Sequence, residues 1–417
     1  MRIDGLLGKK LSHSFSPAVH RALGNPRYRL FETDNLDVFL KKTAFSALNV
    51  TIPYKEEILR FLDQKDDSVL RANAANLIVR TASGLIGYNT DYAGMSMMFQ
   101  RDGVSLQGKS VFIFGNGGAA KTVAALAKNS GCAHLSIAAR HPKDGELPMD
   151  GLSGPLGHEI LINATPVGMF PENSGILPID PAIFPQAVRY YDLIYNPLNT
   201  RSMQAFRSRG VMVQNGLFLL VAQAALSQEI VTGIKGSEET LFRVYQKTAF
   251  RAANVVLIGL PLSGKSSLAP ALASRFEKIP VDTDSMIESE LRMPITEIFR
   301  IHGEPWFRES EAEVVDRLYR SGNQVIATGG GMIENDRIME KLHQNGFVVF
   351  LDKNPVEIAK LRAENRPLIP SPEAVLNLAE RRRSLYLRHA DWIIDPDRPE
   401  EEVITEIEAK LYEHFSH

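Results

Sequence analysis

An α/β fold in two units, each a parallel sheet with helices on both faces, is what this sequence predicts. Three observations carry it. Short aliphatic runs alternate with helical patterns along all 417 residues. Glycine-rich strand-to-helix turns occur twice, at Gly115–Ala120 and Gly259–Ser266. No low-complexity tract or short repeat interrupts the pattern. Strands alternating with helices imply parallel sheets. A doubly wound domain carries one glycine turn after its first strand, so two turns imply two nucleotide-binding units.

The strands follow in chain order. "FSALNVTI", "SVFIFG", "HLSIAAR", "EILINAT" and "YYDLIY" belong to the first unit, and "NVVLIG", "QVIATG" and "GFVVFLD" to the second. All are rich in β-branched, aliphatic or aromatic residues. "SVFIFGNGGAAKTVAALAKNSG" is a strand, a tight turn and a helix closing at Gly131. The helix "SEETLFRVYQKTAF" precedes the expected junction, near residues 249–253.

Bulk composition narrows the function. With 44% hydrophobic residues the chain can bury more than one core. A net charge of −2 argues against nucleic-acid or membrane-surface binding as the main activity. The single cysteine, Cys132, excludes an intrachain disulfide framework or a Cys-based zinc site and suits a reducing cytoplasm. No apolar run is long enough for a signal peptide or a membrane span, so a cytoplasmic location is expected.

At the first turn Gly115, Gly117 and Gly118 let the backbone approach a pyrophosphate, with Ala119 and Ala120 in the opening helical turn. An acidic residue after the next strand would bind the 2′-hydroxyl of NAD. Arg140, His141 and Lys143 stand there instead, which favours the 2′-phosphate of NADP. Around this unit lie polar knots: "LSHSFSPAVH", "NVTIPYKEE", "GYNTDYAG", "INATPVGM", "YDLIYNPL" and "NGLFLLVAQAAL". Read locally, Ser16 before Pro17 fits an N-cap with Pro at the first helical position. Lys55 fits an exposed first-turn lysine, and Asp91 another cap.

Taken together and in this order, the knots resemble the shikimate dehydrogenase family over nearly all of residues 1–247. The resemblance implies substrate contacts from Ser14, Ser16, Asn49, Thr51, Asn76, Tyr195 and Gln223, and a cofactor contact from Gly216. It implies Lys55 and Asp91 as the acid–base pair, with His13 positional, NADP(H) as cofactor and 3-dehydroshikimate as substrate. It also implies a substrate lobe of about 1–92 and 216–247 around a Rossmann-type cofactor lobe of about 93–215. Departures are Ala139-Arg140-His141 for the usual Asn-Arg-Thr, Leu77 for Thr and Lys10 for Pro.

The second turn reads G-x-x-x-x-G-K-S. Gly259 and Gly264 turn backbone N–H groups toward phosphate, Lys265 neutralises charge, and Ser266, followed by Ser267, offers a hydroxyl to Mg²⁺. This pattern indicates ATP but not the acceptor. Downstream, "VDTDSMIE", "EPWFRESE", "IATGGGM", "NRPLI" and "RRRSLY" resemble the shikimate kinase family over about residues 252–417, a P-loop domain of the nucleoside-monophosphate-kinase type. That resemblance implies Asp284 as base at the accepting hydroxyl and Asp282 near magnesium. It further implies Arg308 and Arg382 on the substrate carboxylate beside Gly329, Gly330 and Gly331, and Arg366 in a lid over the phosphates. Leu262 replaces a frequent glycine.

The fusion so read reduces 3-dehydroshikimate and phosphorylates the resulting shikimate. Two alternatives stand beside it: a metabolite-sensing regulator built from inactive pathway domains, and an NAD-dependent quinate/shikimate dehydrogenase in the first half. A regulator would have lost chemistry-bearing groups, and these are present. Oligomeric state is left open by the sequence.

Overall fold

The computed structural model describes residues 4–11, 14–361 and 371–416. Contacts divide the chain into Met1–Asn196 with Thr200–Thr248, and Pro197–Asn199 with Ala249–His417.

The first unit holds two six-stranded sheets. Strands β1 (Asp4–Gly8), β2 (Arg29–Glu32), β3 (Ala47–Val50), β4 (Gln64–Lys65), β5 (Leu77–Thr81) and β6 (Gly84–Tyr88) lie in the order β2-β1-β3-β5-β6-β4. This sheet corrects the expectation of purely parallel sheets, because β3–β5 and β5–β6 pair antiparallel. Only Ala82 and Ser83 separate β5 from β6. So short a link can make a hairpin but not a crossover, and Gly84 at φ +112° completes the turn.

The second sheet is parallel throughout. Its strands are β7 (Ser110–Phe114), β8 (His134–Ala139), β9 (Leu147–Pro148), β10 (Ile160–Asn163), β11 (Arg189–Asp192) and β12 (Met212–Gln214). The order β12-β11-β10-β7-β8-β9 is the dinucleotide-binding arrangement, with the switch point between β7 and β10. The helix after β7, Gly118–Asn129, ends at Ser130 and is closed by Gly131 at φ +72°.

The helix Ser16–Ala22 corrects a local expectation. Phe15 rather than Ser16 occupies the cap, without a side-chain bond, and Ser16 is already helical and buried. The Ser14 hydroxyl accepts from the Ser16 N–H at 3.2 Å, so the preceding serine serves this turn.

The second unit has one parallel sheet of β13 (Asn254–Ile258), β14 (Ile279–Asp282), β15 (Gln324–Ala327), β16 (Gly346–Leu351) and β17 (Trp392–Ile394), in the order β14-β15-β13-β16-β17. All five residues of β13 are buried, as a central parallel strand requires. The end of the helix Glu238–Ala252 is tied into this unit. Phe250 packs edge-on against Phe276 (5.3 Å) and stacks on Tyr412 (5.4 Å). The Lys278 amine donates to the carbonyls of Phe250 and Ala253, and burial pushes its pKa down to about 7. A Cβ at Gly322 would stand 2.3 Å from the Ala252 carbonyl oxygen, so only glycine admits the helix end there. Among the described residues no helix is long and apolar enough to cross a membrane.

Candidate active sites

Lys55 lies on the short helix Tyr54–Glu57 just beyond β3, and Asp91 in the first turn of Thr90–Arg101, which Asn89 caps through the Tyr92 N–H (3.1 Å). The Lys55 Nζ meets Asp91 Oδ2 at 2.5 Å, with side chains 18% and 9% exposed. Largely withdrawn from water, the pair attracts more strongly than a surface ion pair and would be costly to split. Neither residue is the exposed lysine or the cap of the local expectation.

Beside it is a buried amide and hydroxyl network. Asn49 Nδ2 donates to Ser227 Oγ (2.8 Å), while Asn49 Oδ1 accepts from the Tyr28 hydroxyl (2.9 Å). Asn76 Oδ1 accepts from the Thr90 N–H (2.7 Å) and its Nδ2 donates to Thr90 Oγ1 (2.9 Å). Gln223 Oε1 lies 3.4 Å from both asparagine nitrogens. The structure therefore brings Asn49, Asn76 and Gln223 together, and full pairing fixes which end of each amide faces outward. Thr51 follows β3 at half burial. Phe15, between Ser14 and Ser16, has its ring 5.3 Å from that of Tyr195. His13 lies outside the described residues. His20 stacks on Tyr28 (3.7 Å), and burial pushes its pKa down to about 3, making it a neutral core residue.

Tyr28, Thr90 and Ser227 were not singled out by sequence. Ser227 had a usable signal: it stands four residues after Gln223, on the same helix face.

At the glycine turn Gly115 adopts φ +103°, and a Cβ there would lie 3.0 Å from Thr165 Cγ2 at the switch point. A Cβ at Gly117 would meet nothing within 4 Å, which fits a surface open to a pyrophosphate. Gly118 has a different demand, since its Cβ would stand 2.9 Å from Lys55 Cβ. Ala119 and Ala120 complete the turn, Ala120 buried. Arg140 is exposed just past β8. Asn116 Nδ2 ties this loop down by donating to the His141 carbonyl (3.0 Å) and to Glu146 (2.7 Å). Gly216 is required by backbone crowding: a Cβ would lie 2.1 Å from the Leu193 carbonyl oxygen.

In the second unit, Gly259 (φ +151°) and Gly264 (φ +96°) bracket a loop that ends where the helix Lys265–Phe276 begins. The Lys265 amine lies against the carbonyls of Gly259 (2.9 Å) and Leu260 (2.7 Å). Leu262 sits at φ +65°, a left-handed conformation that costs a side-chain-bearing residue about 1–2 kcal/mol and explains why glycine is frequent there. Ser266 and Ser267 are exposed in the first helical turn. Asp282 caps the helix Thr283–Leu291 through the Ser285 N–H (3.0 Å), placing Asp284 in its first turn. Glycines and helix N-terminus fit a triphosphate, and the Ser266 hydroxyl with the Asp282 carboxylate supplies the oxygen donors that magnesium prefers.

Asp284 converges with two arginines on Gly329–Gly331. A Cβ at Gly329 would lie 2.6 Å from both Asp284 Oδ1 and Glu311 Oε1, and one at Gly331 would strike the Arg308 guanidinium at 2.1 Å. Of the three consecutive arginines only Arg382 is buried, donating to the Gly330 carbonyl (3.0 Å) and to Glu334 (2.9 Å). Arg381 is exposed and pairs with Glu334, while Arg383 forks onto Asp352 at 2.6 and 2.8 Å. Arg366 lies outside the described residues.

Glu311 was quoted within a motif but given no role. Its side chain is fully buried and accepts from Arg308 Nη1 at 2.7 Å. Burial, helped by the charge of Asp284 and opposed by Arg308, pushes its carboxyl from 4.5 up to about 7. The folded chain therefore holds a proton that the unfolded chain has released, and stability from this group is lost as pH rises from about 4.5 to 7. Glu311→Gln is expected to flatten that loss in urea denaturation of the second unit. Equal slopes in both proteins would assign the pH dependence elsewhere.

Such geometry defines a two-lobed dinucleotide-dependent dehydrogenase joined to a P-loop kinase. Comparison with known proteins gives the families. The family profile described as "Shikimate dehydrogenase substrate binding domain" matches residues 6–78, and "Shikimate kinase" matches residues 261–412. The shikimate dehydrogenase (NADP(+)) of Clostridium perfringens is 31% identical over 271 residues, covering 60% of this chain and all of the relative. A crystal structure of shikimate dehydrogenase 1 from Peptoclostridium difficile superposes with a TM-score of 0.54 at 35% identity, covering 60% of this chain and 98% of its own. The Thermus thermophilus enzyme, solved with NADP(H) and shikimate, gives 0.52 at 27% identity, covering 60% and 100%. The chain belongs to the shikimate dehydrogenase family and carries a shikimate kinase domain after it.

Proposed function

We propose that this chain carries out two consecutive reactions on one ring: reduction of 3-dehydroshikimate to shikimate, then phosphorylation of the 3-hydroxyl just formed. It is an enzyme of the shikimate pathway, using NADP(H) in the first reaction and ATP with Mg²⁺ in the second. The observation that carries this reading is that both sets of charge-bearing groups stand assembled in one chain: Lys55 with Asp91, and Asp284 with Arg308 and Arg382. A sensing regulator would need the binding arginines but not Lys55, Asp91 or Asp284.

In the reductase, about 1–247, NADPH supplies the hydride when bound. The Lys55 ammonium delivers a proton to the oxygen of the carbonyl being reduced, and Asp91 holds that ammonium in place. Asn49, Asn76 and Gln223 hold ring hydroxyls, with Ser14, Ser16, Thr51 and Tyr195 around the rest of the substrate. In the kinase, about 252–417, MgATP supplies the phosphoryl group when bound. Asp284 accepts the proton of the 3-hydroxyl, and Arg308 with Arg382 orients the ring carboxylate. Lys265 and Arg366 steady phosphate charge. These roles fit a cytoplasmic enzyme that acts on small molecules.

One incubation tests the whole reading. Purified full-length protein with 3-dehydroshikimate, NADPH and MgATP is expected to yield shikimate 3-phosphate by mass spectrometry. Without ATP the reaction should stop at shikimate. Failure to form either product would overturn the proposal.

A further inference from the structure

We infer that one face of the helix Gly118–Asn129 aligns Lys55 with Asp91, and that Lys121 and Thr122 are positioning residues for the reductase. The inference rests on the acid–base reading of that pair. Positions 118, 121 and 122 are related as i, i+3 and i+4, so they share a helix face. Each touches a support of one of the two groups. Gly118 is packed on the Lys55 side chain, where a Cβ would come within 2.9 Å. The Lys121 amine donates to Glu56, the residue after Lys55. Thr122 Oγ1 accepts from Asn89 Nδ2 at 3.1 Å, and Asn89 is the cap of the helix that carries Asp91.

The connections form a closed circuit. Asn89 Nδ2 also donates to the Ala74 carbonyl (2.8 Å), and the Ala75 N–H donates to the Lys55 carbonyl (2.8 Å). Thr122 is fully buried, and its own proton is directed to the Gly118 carbonyl at 3.0 Å. Donation back to a carbonyl four residues earlier is ordinary for a helical threonine. Acceptance of a buried amide from the cap of another helix is not explained by helix formation. The Lys121–Glu56 pair is partly exposed, at 27% and 39%, and such pairs add little to stability. A large effect on rate would therefore come from placement. Because this helix starts at the turn that receives the dinucleotide, its position links cofactor seating to the acid–base pair.

The test uses the full chain. Thr122→Val keeps the shape and removes the acceptor, Thr122→Ser keeps the hydroxyl, and Lys121→Gln and Lys121→Arg do the same for the amine. Thr122→Val and Lys121→Gln are expected to lower kcat for 3-dehydroshikimate reduction about tenfold or more at saturating NADPH. The pH profile of kcat should shift, and KM for NADPH should stay within about twofold. Thr122→Ser and Lys121→Arg should restore the rate, and shikimate phosphorylation by the same preparations should be unchanged. A rise in KM for NADPH at constant kcat would make both residues cofactor contacts and overturn the inference, as would unchanged kcat and pH profile. Lys55→Ala separates the two levels: if it leaves reduction intact, the acid–base reading fails first. Should Thr122→Val not fold, Lys121→Gln carries the same test from a partly exposed position.

Discussion

Lys55→Ala is expected to lower NADPH oxidation with 3-dehydroshikimate by about 10²–10⁴-fold, the range for loss of a positioned acid–base group. ATP-dependent phosphorylation of added shikimate should be nearly unchanged in the same preparation. The first half of this expectation follows from the 2.5 Å pair of Lys55 and Asp91 in a largely dry setting. No neighbouring amide can substitute, because the side chains of Asn49, Asn76 and Gln223 hydrogen-bond but do not exchange a proton with substrate near neutral pH. The second half follows from the separate contact unit in which the kinase groups sit. Removing the lysine also leaves Asp91 buried without its cation, which costs stability. Asp91→Asn, losing charge without creating a cavity, is the companion variant and should lose reduction as well. Stopped assays of both activities on both variants decide the matter. An equal fall in phosphorylation by folded protein would show that the two reactions do not have separate sites.

Strands and glycine turns were legible because each has a local signature. β13 and β7 are apolar runs ending in glycine, and both form central parallel strands. The β5–β6 hairpin was hidden because "RTASGL" lacks the Asn-Gly or Asp-Gly pair that marks tight turns, and two apolar runs read equally well as parallel strands. The pairing of Lys55 with Asp91 and the grouping of Asn49, Asn76 and Gln223 were legible through the order of their motifs. Tyr28, Ser227 and Thr122 were not, because each acts by holding another side chain from a distant element. Gly118 shows the same limit: its motif points to phosphate, while its crowding against Lys55 appears only when two lobes are folded together. Glu311 stood in plain view within "FRESE", but nothing in a sequence distinguishes a carboxylate that will be fully buried from its exposed neighbour Glu309.

Asp284→Asn is expected to lower shikimate phosphorylation by about 10²–10⁴-fold while leaving dehydroshikimate reduction intact. Asparagine has nearly the same shape, and Asp282, which caps the helix bearing residue 284, is untouched. The variant should therefore fold and bind nucleotide. Asp284 Oδ1 and Glu311 Oε1 both face the Gly329 backbone, each 2.6 Å from where a Cβ would stand. Burial first, and then the charge of Asp284, push the Glu311 carboxyl up to about 7 against the pull of Arg308. Asp284 stands at the same glycine segment as Arg308, whose guanidinium can hold a ring carboxylate. An amide there cannot take a proton from a hydroxyl. Equilibrium binding of a non-hydrolysable ATP analogue should match the parent protein, and KM for shikimate should change far less than kcat. Loss of nucleotide binding in step with the rate would instead place Asp284 in the phosphate cradle, and full retention of kcat would pass the role of base to Glu311.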